Sequence, residues 1–111
     1  MTRVKLTVSD DLSYERIHVS GHSGYAEEGV DIVCAAASSA TELVVNILEQ
    51  FSVDISLEVN DENADVLVII LDGESNRKKK DIIRNIVEGY KSYIEDLAEA
   101  YPKFVKISME V

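Results

Sequence analysis

The chain has a single cysteine, Cys34, and a short glycine-punctuated segment separates it from a histidine, His22. The stretch reads Gly21-His22-Ser23-Gly24-Tyr25-Ala26-Glu27-Glu28-Gly29-Val30-Asp31-Ile32-Val33-Cys34. A thiol attacks a carbonyl well only as thiolate, and an imidazole that takes its proton supplies that form at neutral pH. Gly24 and Gly29 let the intervening loop bend and move. If a helix begins at Asp31, the sulfur sits in its first turn, where unpaired N–H groups and the helix dipole favour negative charge. Those N–H groups can also stabilise an oxyanion. The pattern is that of a thiol nucleophile attacking a peptide carbonyl.

Such a site needs elements that hold it. Val4, Leu6 and Val8 alternate with Arg3, Lys5 and Thr7, the period of a strand with one buried face. Asp10-Asp11 marks a turn, and Tyr14 to Ser20 alternates again, with Ile17 and Val19 opposite Arg16 and His18. The two runs are expected to pair as a hairpin, with His22 just past the second strand. Continued alternation would put His18 and His22 on one side. From Asp31 to Phe51 there is no proline or glycine, and Ala36, Ala40, Leu43, Ile47 and Phe51 recur at helical spacing. Asp31 can cap that helix. The small residues from Ala35 to Ala40 admit close approach by the sheet or by a substrate backbone. Val44, Val45 and Leu48 widen the apolar surface beyond this stripe, so a second contact, such as another subunit, is expected to cover them.

A third strand is expected over residues 53–59, and Val66 to Leu71 is apolar throughout, as in a central strand covered on both faces or shielded by a neighbouring chain. A second helix is predicted from about Ser75 to Ala100, with Ile83, Ile86, Val87, Tyr90, Ile94 and Leu97 inward, until Pro102 stops it. Val105, Ile107 and Met109 alternate as a fifth strand. The order ββαββαβ implies an α+β fold: one two-layer domain over residues 1–111, a mixed or antiparallel sheet with two helices on one face.

Composition narrows the function. The chain has 111 residues and 46% hydrophobic content, enough for one core and too little for two. With 11 basic against 21 acidic residues, net −10, it is poorly suited to gripping nucleic acid through phosphates, whereas a basic peptide would be steered towards it. One cysteine excludes an internal disulfide framework, and with no charged leader ahead of the first strand the expected location is cytoplasmic. No apolar run is expected to approach the eighteen or so residues that a membrane span needs.

Gly-His-Ser-Gly-Tyr-Ala, then Glu-Glu, then Gly-Val-Asp-Ile-Val-Cys-Ala-Ala-Ala-Ser over residues 21–38 resembles the signature of the ribosomal-processing cysteine protease family, called Prp. The length and element order fit as well. The resemblance implies a bacterial cysteine endopeptidase that removes a short amino-terminal extension from large ribosomal subunit protein twenty-seven, cutting after an aromatic pair in a basic substrate peptide. It implies a catalytic dyad with His22 as base and Cys34 as nucleophile, a homodimer, and a mobile loop, residues 23–30, that orders around substrate. Gly21, Gly24, Gly29, Asp31 and Ser38 would support the site or bind substrate. No cofactor is implied.

Each feature has a plainer competitor. A lone cysteine on a helix is often a small core residue, and the alternative function is a non-catalytic ribosome-associated module that binds RNA or protein and keeps Cys34 for structure. One cysteine without a tight ligand pair argues against a metal site. Arg77-Lys78-Lys79-Lys80 is most simply the solvated start of a helix, so direct RNA binding is not expected. Asp31 fits a cap better than a third catalytic member, and Ser38 a packing residue. His18 fits a sheet-face position.

Overall fold

The computed structural model describes residues 1–9, 13–21, 30–60, 65–71 and 77–111. Strand β1 (Thr2–Val8) pairs antiparallel with β2 (Tyr14–Ser20), Val4 facing Val19 and Leu6 facing Ile17, as their matched alternation requires. Helix α1 (Val30–Gln50) leads to β3 (Ile55–Asn60) and β4 (Asp65–Ile70), then α2 (Arg77–Ala100) leads to β5 (Val105–Glu110). The sheet order is β3-β4-β2-β1-β5. Only β5 runs parallel to its neighbour β1, because α2 carries the chain back across the sheet before β5 begins. The sheet is therefore mixed.

One face of the sheet builds the core. Val4, Leu6, Ile17, Val19 and Val68 join Val33, Ala37 and Leu48 of α1 and Ile83, Val87 and Ile94 of α2 in a single buried cluster. Burying a side chain such as Ile94 contributes about 1.5–3 kcal/mol. Ile83, Val87, Tyr90 and Ile94 are buried as their spacing predicts, while Ile86 and Leu97 pack partly buried beside them. At the start of β2, Tyr14 reaches across to α2 and its hydroxyl donates to Glu88. Burial, reinforced by that carboxylate, raises the Tyr14 pKa well above its ordinary value.

Three expectations are corrected. On α1 the core stripe is Val33, Cys34, Ala37, Thr41, Val44, Val45 and Leu48, all buried, whereas Leu43 and Phe51 are exposed. Both stripes have helical spacing, and periodicity alone cannot say which one the sheet covers. On β4 the helices cover only one face: Val68 and Ile70 are buried, but Leu67 and Ile69 on the other face are half-buried. Finally, residues 32–50 of α1 have a mean hydropathy of 1.5, apolar enough by length and composition to cross a membrane, although Glu42 and Glu49 interrupt the run. In this fold Val33, Ala37, Val44, Val45 and Leu48 of that stretch are buried in the core, while Ile32 and Leu43 stay exposed.

Helix α1 ends in a Schellman arrangement. Ser52 N–H donates to the Glu49 carbonyl at 3.0 Å and Val53 N–H to that of Leu48 at 3.0 Å, which requires Ser52 to be left-handed, with φ 58°. Serine bears a conformational cost there that glycine avoids. Ser52→Gly is expected to stabilise the fold by about 0.5–1 kcal/mol, raising the melting temperature by a few degrees. A calorimetric scan showing a lower midpoint would contradict this account.

Candidate active site

Cys34 lies against the start of β1. Alternation places Thr2 on the same sheet face as Val4, Leu6 and Val8, and there it is 1% exposed. Its hydroxyl donates a hydrogen bond to Cys34 Sγ at 3.0 Å. The backbone here is held from a second side, since Thr2 N–H donates to the Phe104 carbonyl at 2.8 Å, just before β5. Cys34 itself is 1% exposed.

The helix begins at Val30 rather than Asp31, which puts Cys34 at the start of the second turn instead of in the first. Because side chains on a helix lean towards its N-terminus, the sulfur is still directed back over the first turn, where N–H groups lack helical partners.

The end of β2 meets the same place. Arg3 pairs with Ser20, so Gly21 comes beside Met1 and Thr2. Gly21 has φ +82°, and a Cβ there would lie 2.4 Å from the Met1 carbonyl oxygen. Glycine is thus required on two counts, left-handed backbone and close approach. The left-handed turn also ends the strand alternation at Gly21, so the expectation that His18 and His22 share a side cannot be carried across it.

His18 is on the opposite face of the sheet from Ile17 and Val19, with Nε2 3.8 Å from Asp65 Oδ2. It faces away from the core that holds Cys34, which leaves His22 as the other histidine in the chain. His22, Gly24 and Gly29 lie outside the described residues, as do most of the proposed loop at 23–30 and the side chain of Asp31. Ser38 is exposed and lines a groove beside α1, while the hydrogen bond onto the sulfur comes from Thr2. Among the described residues no group of three or more His, Cys, Asp or Glu side chains could hold a metal ion.

Two turns beyond Cys34, Thr41 fixes α1 against α2. Its hydroxyl donates to the Ala37 carbonyl at 2.9 Å and lies 2.7 Å from the Tyr90 hydroxyl, which is then the donor. Burial pushes the Tyr90 pKa up to about 12, so the phenol remains a protonated donor at neutral pH. The cysteine-bearing helix is thereby held in register against α2.

Sequence reasoning singled out Cys34 and missed Thr2. A signal was available: Thr2 is a polar residue in phase with the buried Val4, Leu6 and Val8. Its partner, far away in sequence, was not readable. Thr2→Val keeps the branched shape and removes the donor to sulfur. Peptide-cleavage kcat is expected to fall about tenfold, the equivalent of one ordinary hydrogen bond, with a stability change within about 1 kcal/mol. Unchanged kcat would limit Thr2 to packing.

The family model described as Cysteine protease Prp matches residues 1–106. No curated protein gives a significant match. Among solved structures, the chain is similar to an essential ribosomal processing protease Prp from S. aureus in complex with a substrate peptide, with TM-score 0.87 and 22% identity over 99% of this chain and 100% of that one. The same protease with a covalently linked product peptide gives TM-score 0.82 at 22% identity, again over 99% and 100% of the two chains. SMU.848 from Streptococcus mutans gives TM-score 0.84 at 28% identity, over 99% of this chain and 94% of that one. The five-stranded sheet and its two helices are therefore a shared fold.

Proposed function

This chain belongs to the cysteine protease Prp family, and from that premise we propose that it removes the amino-terminal extension of large ribosomal subunit protein twenty-seven, with Cys34 as nucleophile and His22 as base. The observation that carries this reading is the position of Cys34, on the N-terminal part of α1 with the Thr2 hydroxyl donating to its sulfur and Gly21, the residue before His22, turning beside the same strand end. The S. aureus relative solved with a substrate peptide and with a covalently linked product peptide supports it.

The mechanism follows from these groups. His22 takes the Sγ proton, and the thiolate attacks the scissile carbonyl to form a C–S bond. The negative charge on the carbonyl oxygen is met by N–H groups of the first turn of α1. Collapse breaks the C–N bond as the imidazolium protonates the leaving amine, and water activated by the same imidazole then hydrolyses the thioester. Because Cys34 is 1% exposed, uncovering the sulfur is part of the cycle. Asp31, inside the first turn of α1 rather than at its cap, and Gly21, Gly24, Gly29 and Ser38 support the site or the substrate. The net charge of −10 favours a basic substrate peptide, with an aromatic pair before the cut, over direct RNA binding. The reaction takes place in the cytoplasm and needs no cofactor.

The functional unit is a homodimer. Leu43, 59% exposed, and Tyr93, 44% exposed, flank a largely apolar groove of about 630 Å³ between α1 and α2, a surface suited to a second copy. Sedimentation that gives only monomer at micromolar concentration would remove the dimer from this account. The activity is tested by incubating the purified protein with the full-length ribosomal precursor and following its mass. A shortened product is expected with the wild type. An intact precursor, with an enzyme whose thiol still reacts with iodoacetamide, would overturn the substrate assignment.

A further inference from the structure

We propose that the sheet face turned away from the helices carries a phosphate-binding site, suited to a small phosphate monoester that also bears hydroxyl groups. It lies on the opposite side of the sheet from Cys34 and does not depend on the peptidase reading. Alternation decides which side chains stand there: with Val4, Leu6, Ile17 and Val19 committed to the core, the residues between them face outward. In register, Lys5 lies opposite His18 and Thr7 opposite Arg16. These four are therefore direct or diagonal cross-strand neighbours, with Cβ atoms about 4.5–8 Å apart. They line a concavity of about 350 Å³, with Leu67, next to His18 on β4, on one side and Glu110, next to Thr7 on β5, on the other.

The charges in this concavity run against those of the chain as a whole. A protein of net charge −10 places here two cations, Lys5 and Arg16, and a histidine against one side-chain carboxylate, Glu110. Glu110 pairs with Lys5 at 3.1 Å, and Asp65 lies 3.8 Å from His18, whereas Arg16 forms no ion pair among the described residues. Like charges on adjacent strands repel, and Lys106 opposite Arg3 extends the same positive band to β5. A dianion between Lys5 and Arg16 relieves that repulsion. The donor set also selects phosphate over carboxylate. A guanidinium fork, an ammonium, an imidazole and a hydroxyl approach from more directions than the two oxygens of a carboxylate meet, while a phosphate ester presents three strong acceptor oxygens. The volume points to an ester instead of the bare ion. About 350 Å³ is the space of roughly ten waters at about 30 Å³ each, more than one phosphate group fills and within the range of small-molecule sites. Glu110 is placed to accept from a hydroxyl on the rest of the ligand, and half-buried Leu67 offers an apolar wall to its carbon skeleton.

Calorimetric titration of ribose 5-phosphate, inorganic phosphate and ribose into the intact protein at low ionic strength tests this, alongside Arg16→Gln, Glu110→Gln and Arg84→Gln. All three positions are exposed, so the variants are expected to fold, and thermal melting checks that they do. Arg84, on α2, is the charge-matched control from the helix side of the sheet. Wild type is expected to bind ribose 5-phosphate more tightly than inorganic phosphate, and ribose not at all. Arg16→Gln should weaken both phosphate ligands about tenfold or more by removing a bidentate, charge-assisted contact, while Arg84→Gln leaves them within about twofold. Glu110→Gln should act in two directions. It frees Lys5 and removes a negative charge, so inorganic phosphate binds more tightly, but the ester loses its advantage over the bare ion. Equal affinity of wild type for ester and ion would overturn the ester and leave the site to free phosphate. Equal weakening by Arg16→Gln and Arg84→Gln would reveal only diffuse attraction and overturn the site. So would a folded wild type that shows neither heat nor a raised melting temperature with either phosphate ligand at millimolar concentration.

Discussion

Cys34→Ala is expected to reduce cleavage of the ribosomal precursor by at least about 10⁴-fold, because no other cysteine can form the thioester. The same substitution should leave the fold in place. Alanine has higher helix propensity than cysteine, the lost volume is one sulfur atom, and Thr2 loses only a weak acceptor. A cost of about 1–2 kcal/mol is expected from the small cavity and the orphaned hydroxyl. Substrate binding should survive, so the variant should bind precursor without cutting it. Cleavage near the wild-type rate would disprove the nucleophile. Iodoacetamide adds an independent reading: an uncovered thiolate reacts fast at neutral pH, whereas a sulfur kept permanently in the core would not.

His22→Ala should lower cleavage by about 10²–10⁴-fold through loss of both proton transfers, from the thiol and to the leaving amine. Alkylation of Cys34 should fall less than peptide turnover, because alkylation needs no protonated leaving group. His18→Ala serves as the control. His18 lies on the other face of the sheet, near Asp65, and its loss should leave turnover within about twofold, as for other surface substitutions far from the chemistry. If His18→Ala were the inactive variant and His22→Ala the active one, the assignment of the base would be reversed.

The sequence determined the elements and the family. The alternation of Val4, Leu6, Val8 and of Ile17, Val19 specifies a hairpin with one buried face, and that hairpin forms. The stretch around Cys34 carries the family's pattern within a few residues, so its identity is legible without a fold. Local properties of this kind depend on near neighbours along the chain, which is why they are readable.

What the sequence left undetermined depended on contacts between distant segments. Alternation could not reveal that β5 would lie parallel beside β1, which brings Phe104 to the backbone of Thr2. Helical spacing allowed two apolar stripes on α1, and only packing chose Val44, Val45 and Leu48 for the core, leaving Leu43 and Phe51 to the surface. The donor to the Cys34 sulfur is the sharpest case. Thr2 and Cys34 are 32 residues apart, and neither spacing nor composition links them. The contact arises because the first strand starts beneath the second turn of α1, a position set by sheet order and by how the helix lies on its shared face, which no stretch of sequence holds by itself.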